Sequence, residues 1–244
     1  MSALPQDVSA DGFHTTRWTV VVAAGQRHTP QSDLALEELC RTYWFPLYAY
    51  VRRRGSAKED AEDLTQAFFE RFLAKNYLAD VEAERGRFRA FLLATLKHFL
   101  ANEWNRARCQ KRGGDATHLS LDWHTAELRF QVAADEESPD KIFDREWALA
   151  LLAKVVERLR AESAAAGHAQ QFDELKIFLT AEKGAMPHAS AAAALGMNEG
   201  AVRVAVHRLH VRYRALLREE IAQTLSDPTQ VDEELRALFA ACAA

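Results

Sequence analysis

Cationic side chains that could bind DNA phosphates are concentrated in one stretch near the C-terminus. No acidic residue interrupts residues 201–218, and five arginines and one histidine lie largely off the apolar stripe of that stretch: Arg203, His207, Arg208, Arg212, Arg214 and Arg218. Arginine donates paired hydrogen bonds to phosphate oxygens. The pattern therefore favours a nucleic-acid contact, although a helical hairpin with a solvated arginine face would show the same charges.

The elements that would position these cations are a short helix, a tight turn and a long helix. Residues 190–195 are rich in alanine, which favours helix. Gly196 can adopt the positive φ that ends a helix, and Asn198 can cap the next one. An apolar stripe then follows at alternating steps of four and three, formed by Val202, Val206, Leu209, Tyr213 and Leu216. This arrangement predicts a helix-turn-helix.

A second basic segment spans residues 85–112, where eight cations face a single acid, Glu103. The segment that follows, 113–146, reverses the balance with nine acidic residues against three basic ones. The whole chain has a net charge of only −4. Because local patches set the field that a ligand meets, the segregation matters more than the total.

The composition is that of a folded, helical protein, with 48% hydrophobic and 27% charged residues and only six prolines. Three widely spaced cysteines favour a reducing compartment and oppose both a disulfide framework and a zinc site. We expect a cytoplasmic protein with no membrane association, metal or other cofactor. Catalytic motifs with phosphate-cradling glycines, a nucleophile elbow or zinc-binding histidines are not found in the sequence, so we do not expect an enzyme.

Hydrophobic periodicity predicts an all-α fold of two small helical domains joined by an acidic linker. We expect an N-terminal extension over 1–30, a first domain over 31–112, a linker over 113–139 with a docking piece near Leu119 to Phe130, and a helix-turn-helix domain over 140–225. A tail helix over 226–244 would begin at Asp227 and Pro228. Pro46 predicts a kinked or broken first helix.

Three motifs in this order resemble the extracytoplasmic-function (ECF) family of bacterial RNA polymerase sigma factors. They are AEDLTQAFFERFL at 61–73, RGRFRAFLLATLKHFLANEWNRARCQKR at 85–112 and LGMNEGAVRVAVHRLHVRYRALL at 195–217. The resemblance covers about Leu34 to Ile221. It implies a non-enzymatic subunit that binds core RNA polymerase, recognises the −10 and −35 promoter elements and promotes DNA opening.

The resemblance implies core RNA polymerase as a partner, through its β′ coiled coil and β flap, and assigns the contact with the β′ coiled coil to the first motif. Its polymerase-binding residues would be Asp63, Leu64, Gln66 and Phe69. Helical spacing turns Phe69 about 100° from Phe68, so we expect Phe69 to point outward beside Gln66.

The resemblance also implies two DNA-binding sets and a role for the linker. The −10 element would be bound by the loop from Glu82 to Phe88 and the helix after it, through Arg85, Arg87, Phe88, His98, Asn102, Asn105, Arg106 and Arg108. The −35 element would be bound by Glu199, Arg203, His207, Arg208, Arg212 and Arg214. The acidic linker would occupy the cationic RNA channel of the polymerase. Trp104 would either stack on melted DNA or belong to the core.

One departure from the family pattern concerns Thr65 and Ala67, where the family usually has an aliphatic and an acidic residue. Phosphorylation of Thr65 would supply a negative charge, which implies a Ser/Thr kinase as a partner beside an anti-sigma factor. The opposing interpretation is that Thr65 is a tolerated polar residue. The alternative function is a stand-alone helix-turn-helix regulator with a helical sensor domain.

Overall fold

The computed structural model describes residues 30–74, 86–109, 122–132, 138–180 and 188–243. This part of the chain is all-α, as predicted, with nine α-helices, two 3-10 segments and no strands. The helices are α1 (Pro30–Arg53), α2 (Lys58–Ala74), α3 (Phe88–Cys109), α4 (Trp123–Val132), α5 (Pro139–Ala165), α6 (Ala169–Leu175), α7 (His188–Leu195), α8 (Glu199–Ala222) and α9 (Val231–Ala243). The 3-10 segments are Lys176–Leu179 and Pro228–Gln230.

Helix α1 runs without interruption through Pro46, so the broken-helix alternative is wrong. Proline removes one backbone donor from the helix. The neighbouring side chains of Phe45, Leu47 and Tyr48 are buried, and their packing stabilises the helix across that position. Gly55, with a φ of 93°, follows the end of α1 and allows the chain to turn into α2.

The main hydrophobic core contains residues from both predicted domains. Helix α1 packs along α5, and α5 also packs against α8 and α9. Trp147 on α5 is buried, and its indole Nε1 donates to the Tyr43 hydroxyl on α1 at 3.2 Å. Core residues extend from Leu39 in α1 to Leu238 in α9. The division into two sigma-like domains therefore stays a prediction, because one core spans the proposed boundary.

A smaller second core holds the end of the molecule that contains the turn between α7 and α8. Its buried side chains are Leu175, Phe178, Ala191, Ala192, Val202 and Val206. Helix α8 belongs to both cores, since Leu216 and Ile221 near its C-terminus lie in the main one. With 24 residues, α8 is about 36 Å long, which is enough to connect the two.

Helix α4 comes from the predicted linker and packs on α1, as expected for a docking piece. Trp123 and Trp44 make an edge contact with ring centroids 5.5 Å apart. Glu127 accepts from Arg52 Nη2 at 2.8 Å and from the Tyr48 hydroxyl at 2.5 Å. The docking piece is thus confirmed over Trp123 to Phe130, whereas Leu119 lies outside the described residues.

The tail begins as predicted and then packs on the body of the protein. Asp227 Oδ1 accepts from the Thr229 backbone N–H at 2.9 Å, immediately before the 3-10 segment that leads into α9. Val231 and Leu238 are buried, and Leu235 packs against the main core. The apolar stripe of the tail therefore docks on α5 and α8 within the same chain.

Candidate nucleic-acid interface

A short helix, a turn and a long helix lie where the sequence predicts a helix-turn-helix, in the form of α7, the turn after it and α8. Gly196 has a φ of 62°, the left-handed conformation expected after the end of a helix. Asn198 Oδ1 accepts from the Ala201 backbone N–H at 2.8 Å and so caps α8. Val202 and Val206 are buried against the alanines of α7, which orients the opposite side of α8 towards solvent.

That solvent-facing side of α8, here called the α8 face, consists of Arg203, Val204, His207, Arg208, Val211 and Arg214, and all six are exposed. At about 100° per residue they share one broad side of the helix. The described part of the chain offers no hydrogen-bond or ion-pair partner to His207, Arg208 or Arg214. Arg203 meets only Glu199, at 3.5 Å between two exposed side chains. The face is therefore cationic and available to a ligand.

Two further arginines of α8 are held within the protein. Arg212 donates to both carboxylate oxygens of Glu162 on α5, each at 2.8 Å, and to Glu219 at 3.3 Å. The hydrogen bonds to Glu162 raise the pKa of Arg212 above its usual range. Arg218 pairs with Asp232 on α9. Arg212 is predicted to bind the −35 element. In this structure its guanidinium group is instead paired with both oxygens of Glu162.

Sequence analysis missed two members of the α8 face, Val204 and Val211. Their exposed fractions are 50% and 51%, which is large for valine. Both lie outside the buried stripe of α8 and between basic residues. Their exposure could have been predicted from that position. Apolar side chains on a DNA-facing helix can contact the thymine methyl group in the major groove. The face therefore combines phosphate-binding and base-contacting side chains.

Trp104 on α3 is 60% exposed, so the alternative that placed it in the core is wrong. It lines an open hollow of about 270 Å³ together with Arg54 and Lys97. The Arg54 guanidinium carbon lies 6.0 Å from the Trp104 ring centroid. Arg54 is a residue that sequence analysis missed, because only the tertiary fold brings the turn after α1 beside the tryptophan of α3.

The start of α3 does not present the residues predicted for the −10 element. Phe88 is buried, with its ring centroid 5.3 Å from that of Tyr43, so its side chain is not exposed to DNA in this structure. Arg87 pairs with Glu233 and Glu234 of α9. Phe88 is buried because α1 covers the first turn of α3.

The other predicted −10 residues divide into exposed ones and ones that cannot be described. His98 and Asn102 are exposed on α3. Asn105, Arg106 and Arg108 lie within α3, but their side chains fall outside the described part, as does all of Arg85.

The prediction that Phe69 points outward is wrong, because its side chain is 0% exposed. Gln66 is also buried and donates to Glu70 at 3.2 Å. Helix α2 contacts both α1 and α3, so its buried arc is wider than the single stripe read from the sequence. Leu64 is partly buried, and Asp63 alone of the predicted polymerase-binding residues is exposed.

Thr65 is fully buried in α2, and its hydroxyl has no hydrogen-bond partner in the described structure. A kinase needs an exposed hydroxyl, so the predicted phosphosite is inaccessible in this conformation. The same contacts that bury Phe69 explain this, because Thr65 lies one helical turn before it.

Among the described residues, no group of histidine, cysteine or carboxylate side chains is arranged to bind a metal ion. Within the same ranges, no helix combines the length and the apolar character needed to cross a bilayer. No protein-family model, curated protein or solved structure matches this chain.

Proposed function

We propose that the protein is a promoter-recognition subunit of bacterial RNA polymerase, a sigma factor of the ECF type. The observation that carries the proposal is the α8 face on the capped second helix. There His207, Arg208 and Arg214 have no partner among the described residues, and exposed valines lie beside them. The second helix of such a motif enters the major groove, with side chains on its exposed side contacting bases and phosphates. The order of the three sequence motifs supports the assignment to this family.

Contact with separated DNA strands is supported by the hollow around Trp104. An exposed indole provides a face on which an unpaired base can stack. Arg54 flanks it and can hold an adjacent phosphate, whereas Lys97, which also lines the hollow, already pairs with Asp140. His98 and Asn102 lie on the same helix and are exposed. Helix α3 would thus bind single-stranded promoter DNA while α8 binds the duplex.

The proposed contact with core polymerase uses the exposed acidic side of α2 rather than Phe69. Glu59, Asp60 and Asp63 are all exposed there. A partner surface with complementary positive charge would be attracted to this side over about a Debye length. Asp63 is the residue that this surface shares with the sequence-based prediction.

A stand-alone helix-turn-helix regulator is the second candidate function. The single core shared by α1 and α5 favours it, because a regulator needs only one rigid body to present α8. The burial of Phe69 favours it as well, since that residue is one of the four predicted polymerase contacts.

Gel shifts on a pool of duplex DNA fragments, with and without bacterial core polymerase, test these functions. A sigma factor needs the core enzyme for tight binding and supports run-off transcription from the selected fragments. A regulator binds equally well alone and supports no transcription. Loss of binding in Arg208→Ala and Arg214→Ala, with normal binding in Arg41→Ala on distant α1, would show that the α8 face makes the contact. Absence of binding in every arm refutes both functions.

A further inference from the structure

The first turn of α9 presents two carboxylates to the two arginines at the start of α3. Glu234 accepts from Arg87 Nε at 2.9 Å and from Arg89 Nε at 2.5 Å. Glu233 accepts from Arg87 Nη2 at 2.5 Å. Asp144 on α5 pairs with Arg89 as well. These five residues, Arg87, Arg89, Asp144, Glu233 and Glu234, are here called the tail clamp.

Backbone contacts join the same two segments immediately beside the tail clamp. The Phe88 N–H donates to the Thr224 carbonyl at 3.0 Å, and the Ser226 N–H donates to the Gly86 carbonyl at 3.3 Å. Arg87 and Leu225 form an antiparallel bridge between these bonds. The segment between α8 and α9 is thus attached to the chain just before α3 by hydrogen bonds on both sides of Arg87.

The carboxylates of the tail clamp occupy positions that suit phosphate oxygens. The Glu234 side chain is 1% exposed, and both of its oxygens accept from Arg89, Oε1 from Nε at 2.5 Å and Oε2 from Nη2 at 3.2 Å. Oε2 also accepts from Arg87 Nε at 2.9 Å. Arginine binds carboxylate and phosphate with the same paired geometry. A polyanion that binds Arg87 must therefore displace Glu233 and Glu234. One that binds Arg89 must displace Glu234 and then compete with Asp144 of α5.

We propose that α9 is an autoinhibitory element, which occupies the arginines of α3 and must release them before DNA binds there. In the closed form the basic start of α3 is neutralised from within the chain. Binding of single-stranded DNA at Arg87 and Arg89 opens the clamp, and the apparent affinity is reduced by the small population of the open form. The inference rests on the proposed function, because that function supplies DNA as the ligand.

The competing interpretation is a static ion-pair staple with no competitor. The two differ in what happens when the clamp is weakened. A staple loses stability and gains no ligand affinity, whereas an autoinhibitory contact gains affinity in proportion to the open population. Glu233 is suited to the comparison, because its side chain is 61% exposed and its replacement leaves the core intact.

The test measures, by fluorescence anisotropy, how tightly the full chain binds a labelled single-stranded DNA of mixed sequence. The DNA is about 20 nucleotides long, which exceeds the length that one binding module covers. The variants are Glu233→Gln, Glu234→Gln and the matched control Asp232→Asn. Asp232 lies on the same helix turn and carries the same charge, but it pairs with Arg218 of α8. Circular dichroism of each variant verifies the fold.

We expect Glu233→Gln to bind the oligonucleotide about tenfold more tightly than the wild type, with Asp232→Asn within about twofold. Adding Arg87→Ala to Glu233→Gln should abolish the gain. Amide hydrogen exchange in Val231–Ala243 should accelerate when DNA binds the wild type. Equal gains for Asp232→Asn and Glu233→Gln, no gain in folded Glu233→Gln and Glu234→Gln, or a gain that survives Arg87→Ala would overturn the proposal.

The outcome is separable from that of the proposed function, because the assay uses no polymerase. A chain that fails in run-off transcription can still show a clamp that DNA opens. Conversely, a transcriptionally active chain whose clamp variants bind DNA as the wild type does would retain the proposed function and lose the autoinhibitory one.

Discussion

The α8 face and the tail clamp contain the same residue type in opposite states. On the α8 face, Arg208 and Arg214 are exposed and the described structure gives them no carboxylate partner. In the tail clamp, Arg87 and Arg89 are largely covered and each has two acidic partners. The sequence around both pairs is comparably basic. Charge pattern alone therefore does not reveal which arginines can meet a ligand.

The difference arises from how many elements meet at each place. The second core covers one side of the N-terminal half of α8, and Arg203, Val204, His207 and Arg208 on the other side stay exposed. At the start of α3, helices α5 and α9 both bring acidic side chains. Burial raises the pKa of Asp144 there, although Arg89 beside it acts in the other direction. Burying a guanidinium group costs free energy, so arginines at such a poorly exposed place need carboxylate partners.

Removing the central carboxylate of the tail clamp should have the largest effect. Glu234→Ala is expected to lower the free energy of unfolding by about 3 kcal/mol, because it leaves two partly buried guanidinium groups without their shared partner. Glu199→Ala, which breaks the exposed pair with Arg203, should change it by less than about 1 kcal/mol. Urea unfolding monitored by circular dichroism measures both. Equal losses would show that the two regions do not differ in the stated way.

Truncating the unpaired arginines of the α8 face should weaken binding to duplex DNA. Arg208→Ala and Arg214→Ala are each expected to cost about 1–3 kcal/mol of binding free energy. Arg87→Ala should leave duplex affinity within about twofold, because α9 occupies that side chain. Competition gel shifts at fixed salt provide the values. A stronger effect of Arg87→Ala than of Arg208→Ala would reverse the proposed roles.

The N-cap of α8 determines how firmly the α8 face is presented. Asn198→Ala should destabilise the protein by about 1 kcal/mol, because the Ala201 N–H loses its side-chain acceptor. Asn198→Asp keeps that acceptor and serves as the control. Hydrogen exchange at the first turn of α8 should accelerate in the alanine variant alone. Protection that is unchanged in Asn198→Ala would mean that the cap contributes nothing there.

The smallest expected effect is a pH dependence at the edge of the α8 face. Hydrogen bonds from Arg212 hold the pKa of Glu162 below its usual value near 4.5. Stabilisation by this pair is therefore complete above that value and is lost as the pH falls through the lowered pKa of the folded state. Both side chains are more than a third exposed, at 44% and 37%, so we expect less than about 1 kcal/mol.

Melting temperatures of the wild type and Glu162→Gln between about pH 7 and pH 3 test this dependence. The two proteins should differ at neutral pH and converge at the acid end of the range. Glu157→Gln, at an exposed position on the same helix, is the control and should follow the wild type throughout. A Glu162→Gln difference that is constant across the range would contradict the assigned cause.

Local chemistry explains why the helix-turn-helix is predictable from the amino-acid sequence. The positive φ of Gly196 and the cap at Asn198 depend on residues within a few positions of each other. The stripe from Val202 to Leu216 follows from the helical repeat alone. The tail likewise begins where Asp227 and Pro228 indicate, since an acceptor followed by proline is a local start signal.

The prediction failed for Phe69, Phe88 and Thr65 because each depends on a second neighbour. A helical wheel identifies the strongest apolar side of a helix but not whether another helix covers the adjacent side. Helix α2 has two such neighbours, and α1 covers the beginning of α3. The exposure of Trp104 follows from the same rule, since among the described residues only the turn after α1, at Arg54 and Ser56, lies across the hollow from it.

The sequence by itself determined the helices, their caps and the cationic side of α8, because these depend on contacts between residues a few positions apart. The tertiary structure alone decided which arginines are neutralised. Glu234 lies 145 residues from Arg89, and no local pattern relates the two. An ion pair depends on distance in space and on exclusion of water, and both were set only when α9 packed against α5 and α8.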